Sequence, residues 1–214
     1  MADITIQKIQ ETVRDAVAHQ VRSVTDWHFG EPVYDEEPAD DLGGLSGFRE
    51  LVARQHWVNF QLWHVEDRAR RQDVDAKIIA DCKHRIDRFN QKRNDLIERV
   101  DACLIGMVQP LLPENGEERY NTETIGSALD RLSILALKRY HMEEQTRRRD
   151  VDEAHIASCK SKCDVMVRQH ADLERGILEL LDDYARGLKK PKVYYQFKMY
   201  NDPSLNPELY ATAK

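Results

Sequence analysis

Glycine and proline are scarce in this chain, nine and seven in 214 residues, and aromatic residues make up only 7% of it. Such scarcity argues against a sheet protein built on tight turns and leaves long amphipathic helices as the default expectation. Basic excess is also missing. A net charge of −6 excludes a general nucleic-acid binder, because phosphate neutralisation leaves a basic footprint on the domain. The longest uncharged apolar run, Ala102 to Val108, falls far short of the ~20 residues that span a bilayer. The opening MADITIQKIQETVRD sets acids among its apolar positions and lacks a secretory core. With no export signal read, Cys82, Cys103, Cys159 and Cys163 are expected to be reduced thiols rather than a disulfide framework. Neither a glycine-rich phosphate loop nor a Gly-x-Ser-x-Gly elbow occurs. These absences predict a cytoplasmic protein with no membrane span and no nucleic-acid partner.

What remains is helical periodicity. Ile6, Ile9, Val13, Val17, Val24 and Trp27 recur at three- and four-residue steps, predicting a first helix within residues 1–28. An acidic stretch with two prolines and a glycine pair follows and predicts a loop. Two helices are expected over Ser46–Arg71 and Asp75–Val108, joined by a turn at residues 72–74 short enough to make them antiparallel. After Pro110, Pro113 and Gly116, a fourth helix capped by Asn121 or Thr122 should run to Arg149, and a fifth from Asp152 to Leu188. Residues 189–214 lack helical period and predict an extended strap held by its aromatics.

Sliding the chain against itself aligns His64 with His141, an offset of 77, without a gap. Fourteen of the 33 positions from 64 to 96 are then identical, where chance would give roughly two at average residue usage. Each hairpin carries one apolar seam that it cannot bury alone. The expectation is an all-α protein: a four-helix bundle of two repeated antiparallel hairpins (46–108 and 122–188), an N-terminal helix and an extended tail, in one helical domain over 1–214.

The strings WHVEDRAR, NQKRND, RLSILALKRYHMEEQ and KMYNDPSLNP make the chain similar to bacterial proteins grouped as domain of unknown function 4254. The resemblance covers nearly the whole chain. It implies a bacterial source and genes near those for envelope glycan assembly. It implies no reaction and transfers no catalytic residue.

Candidate chemistry begins with the seams. In the third helix Ile79, Ile86, Arg93, Val100 and Met107 follow at seven-residue steps, so Arg93 interrupts an apolar stripe. His170 is its counterpart in the fifth helix. A buried charge needs partners, and levelling the two helices about the first turn places Arg93 beside residues 54–56 and Asp87 beside Asn59. His56, Asn59, Asp87, Asn90, Gln91, Arg93 and Asn94 should then lie within about three turns of one another, at ~5.4 Å per turn. Their counterparts in the second hairpin include Ser133, Ala136 and Val167, so most of the polar set is confined to one copy. The leading expectation is a pocket in the first hairpin for a small polar or phosphorylated ligand. His56 would be its proton-transfer group, Asp87 the orienting acid, Arg93 the anion contact, and Asn59, Asn90, Gln91, Asn94 and His170 further ligand contacts. Whether it is an enzyme stays open.

Two other classes compete. A helical adaptor for a partner protein, or a homo-oligomer, would use the polar seam residues to specify register. A metal-dependent bundle would draw on His64, Asp67, His141 and Glu144, since each pair projects a histidine and an acid from one face. The remaining carboxylates of such a centre would have to be Asp87 and Asp164, and Asp87 lies ~12 Å too far along the axis. No cofactor is therefore expected, with a divalent metal as the alternative. The charges around the turns, and Lys189, Lys190, Lys192 and Lys198 in the tail, are expected to serve structure.

Overall fold

Capping side chains set four of the five long-helix starts. The computed structural model describes residues 4–34, 38–39, 41–197, 199 and 202–211, and no strand occurs among them. Thr5 caps α1 (Ile6–Phe29) by accepting from the Lys8 amide at 3.3 Å. Helix α2 (Gly44–Ala69) turns back into α3 (Ala76–Val108), and α4 (Ile125–Gln145) into α5 (Glu153–Ala185). Asp75 and Asp152, 77 apart, cap α3 and α5, each accepting a backbone N–H at 2.7 Å. Both long helices are 33 residues. At each turn an arginine forks onto the aspartate two residues on, Arg71 onto Asp73 and Arg148 onto Asp150. These ion pairs are exposed and contribute little stability, but they hold two connections in the same geometry.

The fourth helix starts three residues later than its sequence suggests and ends four earlier. Thr124, rather than Asn121 or Thr122, is its cap, accepting from the Ser127 amide at 3.1 Å. Close packing explains the start. A Cβ on Gly126 would come within 2.7 Å of the Ile97 carbonyl oxygen, so only glycine lets α4 begin against α3. The Gly126 amide donates to buried Asp101 at 2.6 Å. Helix α5 ends in a left-handed glycine, Gly187, with Leu188 donating to the Asp183 carbonyl and Gly187 to that of Tyr184.

The main core combines Ile9, Val13 and Val17 of α1 with Phe48, Leu51, Leu96, Leu104, Leu129, Leu132 and Leu181, drawn from the other four long helices. Helix α1 lies against α2, α4 and α5, and α2 packs on α4. It is thus a full wall of the bundle. Toward the hairpin turns an aromatic cluster of Trp27, Trp57 and Phe60 takes over, with Trp63 and Tyr140 at its edge. Residues related by the offset of 77 meet there: His56 bonds Ser133, and the rings of His64 and His141 are 5.7 Å apart. Equivalent positions of α2 and α4 therefore lie side by side at the same height.

After α5 the chain straps over the bundle. Lys190 donates to the Arg119 carbonyl at 2.8 Å and the Gln196 amide to Glu98 at 2.8 Å. Two corrections apply to the tail. Residues Pro207–Tyr210 form a short helix, α6, started by Asn206, and Tyr195 and Phe197 stand largely exposed instead of holding the strap. Lys198 lies outside the described residues; Lys189 pairs with Asp183 and Lys190 with Glu118, which is a structural use of the basic patch. No helix among the described residues is long and apolar enough to cross a membrane.

Gly126→Ala is expected to destabilise the fold by about 1–3 kcal/mol in urea titration, the range for overpacking. Burial, opposed by hydrogen bonds from Thr124 and Gly126, pushes the Asp101 carboxyl up to about 6 from an ordinary 3.8. The folded state therefore prefers the protonated acid, and stability should decline as pH rises from about 4 through about 6. Asp101→Asn should remove that decline, as read by thermal melts across the window.

Candidate functional site

One carboxylate gathers most of the buried polar atoms. Asp130, on the α4 face that also carries Leu129 and Leu137, is 4% exposed. Its Oδ1 accepts from Gln55, from Asn59 at 2.9 Å and from Arg93 Nε at 2.8 Å, while Arg93 Nη2 donates to Oδ2. Three helices, α2, α3 and α4, are tied by this one acid. The ion pair with Asp130 raises the Arg93 guanidinium above its usual pKa, keeping it charged. Asn59 also donates to Ser133 Oγ at 2.8 Å, and that hydroxyl lies 2.7 Å from His56 Nδ1. Having accepted from Asn59, the serine has its proton left for Nδ1, which fixes a neutral imidazole. Burial, reinforced by His19, drives the His56 pKa down to about 3.

This arrangement corrects the assignment of a catalytic pair. His56 is fully buried with Ser133 as its partner, and Asp87 turns outward to an ion pair with Lys83 on its own helix. Neither orients the other. The polar seam is not confined to the first hairpin either, because Asp130 and Ser133 both come from the second. Asp130 escaped the sequence argument because its counterpart is Ala53, so no repeat marked it. A lone acid on the otherwise apolar face of Leu129, Leu132, Ser133, Ala136 and Leu137 was the available signal.

Of the remaining candidates, Asn59, Asn90 and Arg93 meet at a cleft of about 340 Å³ between α2, α3 and α4. Glu66, Asp67 and Arg70 complete its polar rim, over an apolar wall of Leu62, Trp63, Ile134 and Leu137. Gln91 instead donates to Asp95 on its own helix at 2.7 Å. Asn94 is half-buried on α3, away from the cleft lining. His170 is half-buried on α5, its pKa lowered by burial, and its Nε2 has no partner among the described residues.

The metal candidates separate differently. Glu144 accepts from His141 Nδ1 at 2.7 Å, so it orients a histidine and is not itself free to bind an ion. Asp67 faces the cleft. Beside His64 and His141 stands a residue the sequence argument passed over, His28, from the last turn of α1. The three ring centres form a near-equilateral triangle, with sides of 5.2, 5.2 and 5.7 Å. Nδ1 of His28 lies 2.6 Å from the Val24 carbonyl and Nδ1 of His64 2.8 Å from that of Phe60. Nε2 of His28 and of His141 is buried without a hydrogen-bond partner among the described residues, each at a cost of about 1–3 kcal/mol if nothing binds it. His28 has no repeat counterpart, which hid it.

Asp130→Ala should strand the Arg93 charge and destabilise the protein by about 3–5 kcal/mol in chemical denaturation. His56 stays neutral in the folded state although an unfolded histidine titrates near 6.5. Its contribution is complete above that value and falls away as pH drops toward 3. His56→Gln should flatten this acid limb in pH-dependent melts.

Neither the curated proteins nor the solved structures include a match to this chain. The model of a protein family of unknown function, DUF4254, matches residues 49–193, which takes in both hairpins with His64, Arg93, Asp130 and His141 and leaves out α1 with His28. The match covers about two thirds of the sequence, and the chain belongs to the DUF4254 family.

Proposed function

We propose that the cleft between α2, α3 and α4 binds a small polar molecule, gripped by Arg93 and flanked by Asn59 and Asn90. The observation that carries this is the way Asp130 holds the guanidinium. It occupies the Nε and Nη2 side of Arg93, so the fork made by the two Nη groups is the edge left for a ligand, already oriented and one-quarter exposed. A planar fork matches paired acceptors such as a carboxylate, a carboxamide or adjacent hydroxyls. Trp63, Leu62, Ile134 and Leu137 supply an apolar wall for the rest of the molecule.

Charge narrows the class. Asp130 neutralises Arg93, Glu66 pairs with Arg70, and Asp67 adds a further negative charge at the rim. An uncharged or singly charged ligand fits this field better than a phosphate dianion. A hydroxyl-rich sugar, as envelope glycan metabolism would provide, meets that description. His56 is sealed in the core and supplies no proton to the cleft, so the reading is of binding and names no reaction.

A second reading, a helical adaptor, rests on the tail, where Tyr195, Phe197, Met199, Leu205, Leu209 and Tyr210 are all exposed. Apolar surface of this kind marks a contact with another protein.

A thermal-shift panel of small carboxylates, carboxamides, sugars and inorganic phosphate tests the first reading. A ligand at 100 times its Kd adds about 2.7 kcal/mol, a rise of roughly 5–10 °C for a chain of this size. Arg93→Lys, which keeps the charge and loses the fork, should abolish the rise. A panel without effect on the wild type, or a rise that survives Arg93→Lys, would leave the adaptor as the better account.

A further inference from the structure

We propose that His28, His64 and His141 form a three-histidine site for a zinc-class divalent ion, with its fourth coordination position facing solvent. The site is separate from the Arg93 cleft and stands or falls without it.

Ligand atoms come first. One ligand atom from each of the three residues lies within 4.8 Å of the other two. His28 and His64 direct Nδ1 to backbone carbonyls four residues back, and His141 directs Nδ1 to Glu144. An imidazole that donates through Nδ1 carries its lone pair on Nε2, the nitrogen a metal takes. The pattern of a histidine whose far nitrogen donates to a carbonyl or carboxylate is that of metal-ligating histidines, since it fixes both tautomer and ring direction. The Nε2 atoms of His28 and His141 are buried and have no hydrogen-bond partner among the described residues.

Ring positions agree. A zinc ion about 2.1 Å from each nitrogen stands about 3.2 Å from each ring centre, and tetrahedral geometry then sets those centres about 5.2 Å apart. The observed sides are 5.2, 5.2 and 5.7 Å. The three rings are inclined to one another at 58°, 70° and 70°, so none of them stacks on another. His28 and His141 are also wedged: Tyr140 stacks on His28 at 4.2 Å and Trp63 on His141 at 5.0 Å. Two ligands are thus held in place, while exposed His64 closes the triangle from the solvent side and leaves the remaining position reachable.

Donor chemistry selects the ion. Three neutral imidazoles suit zinc, copper or nickel, whereas magnesium and calcium require oxygen ligands. Three protein ligands with one open position is the arrangement of catalytic rather than structural zinc. The three residues come from α1, α2 and α4, so an ion here also pins the N-terminal helix to both hairpins.

Titrating the chelator-stripped full-length chain with zinc chloride in a calorimeter tests the site. One ion per chain is expected, with no heat from magnesium chloride. His28→Ala, His64→Ala and His141→Ala should each weaken zinc binding by at least ~100-fold, and Glu144→Gln by about 10–100-fold through loss of orientation. His155→Ala, beside Cys159, should leave it unchanged. Should any of the three alanine variants fail to fold, cobalt(II) loaded into the wild type replaces them; the visible spectrum of a tetrahedral, nitrogen-ligated ion is expected. Zinc below a tenth of an equivalent, binding that outlasts the histidine substitutions but not the loss of Cys159, or an octahedral cobalt spectrum would each overturn the proposal.

Discussion

A carboxylate taken out of water must be answered by donors, and Asp130 is answered by three side chains from two helices. Gln55 and Asn59 reach it from α2 and Arg93 from α3, while the acid itself belongs to α4. The contact is demanding because each participant is costly to bury alone. It fixes the relative height of the two hairpins more narrowly than apolar packing does, since leucines tolerate a shift that a bidentate ion pair does not. The cleft beside it inherits that precision, as the same guanidinium forms part of its wall.

The fold was readable because its determinants are local. Periodic apolar positions gave the five long helices, and the repeated Arg-x-Asp-Val-Asp at each turn gave their pairing. Errors fell where a neighbour decides. Gly126 starts α4 late because α3 crowds it, and the tail aromatics stay outside because the strap is held by backbone bonds and Glu98 instead.

The site was readable only in part. Levelling two antiparallel helices sets Arg93 beside residues 54–56 and Asp87 beside Asn59, within one hairpin alone. Arg93 reaches sideways to α4, and Asp87 looks outward, because which side of a helix meets a third element is not encoded in a pairwise register. Comparing the two halves had a similar blind side. Matched residues and polar groups of the first half stand out in it, whereas Asp130 lies in the second half opposite Ala53 and His28 lies outside both hairpins. Only the three-dimensional packing of α1 brings His28 to the pair of histidines that the repeat had already picked out.

Some positions of α2 face their sequence equivalents on α4, which bears on what such a fold can hold. In a dimer of identical hairpins every residue on the axis must be compatible with itself. A single chain containing both halves escapes that restriction and can set unlike groups opposite each other, as it does with His56 and Ser133. It can also retain like groups where likeness is useful, as with His64 and His141. Along this contact between α2 and α4, covalent linkage of the halves therefore widens the chemistry open to them.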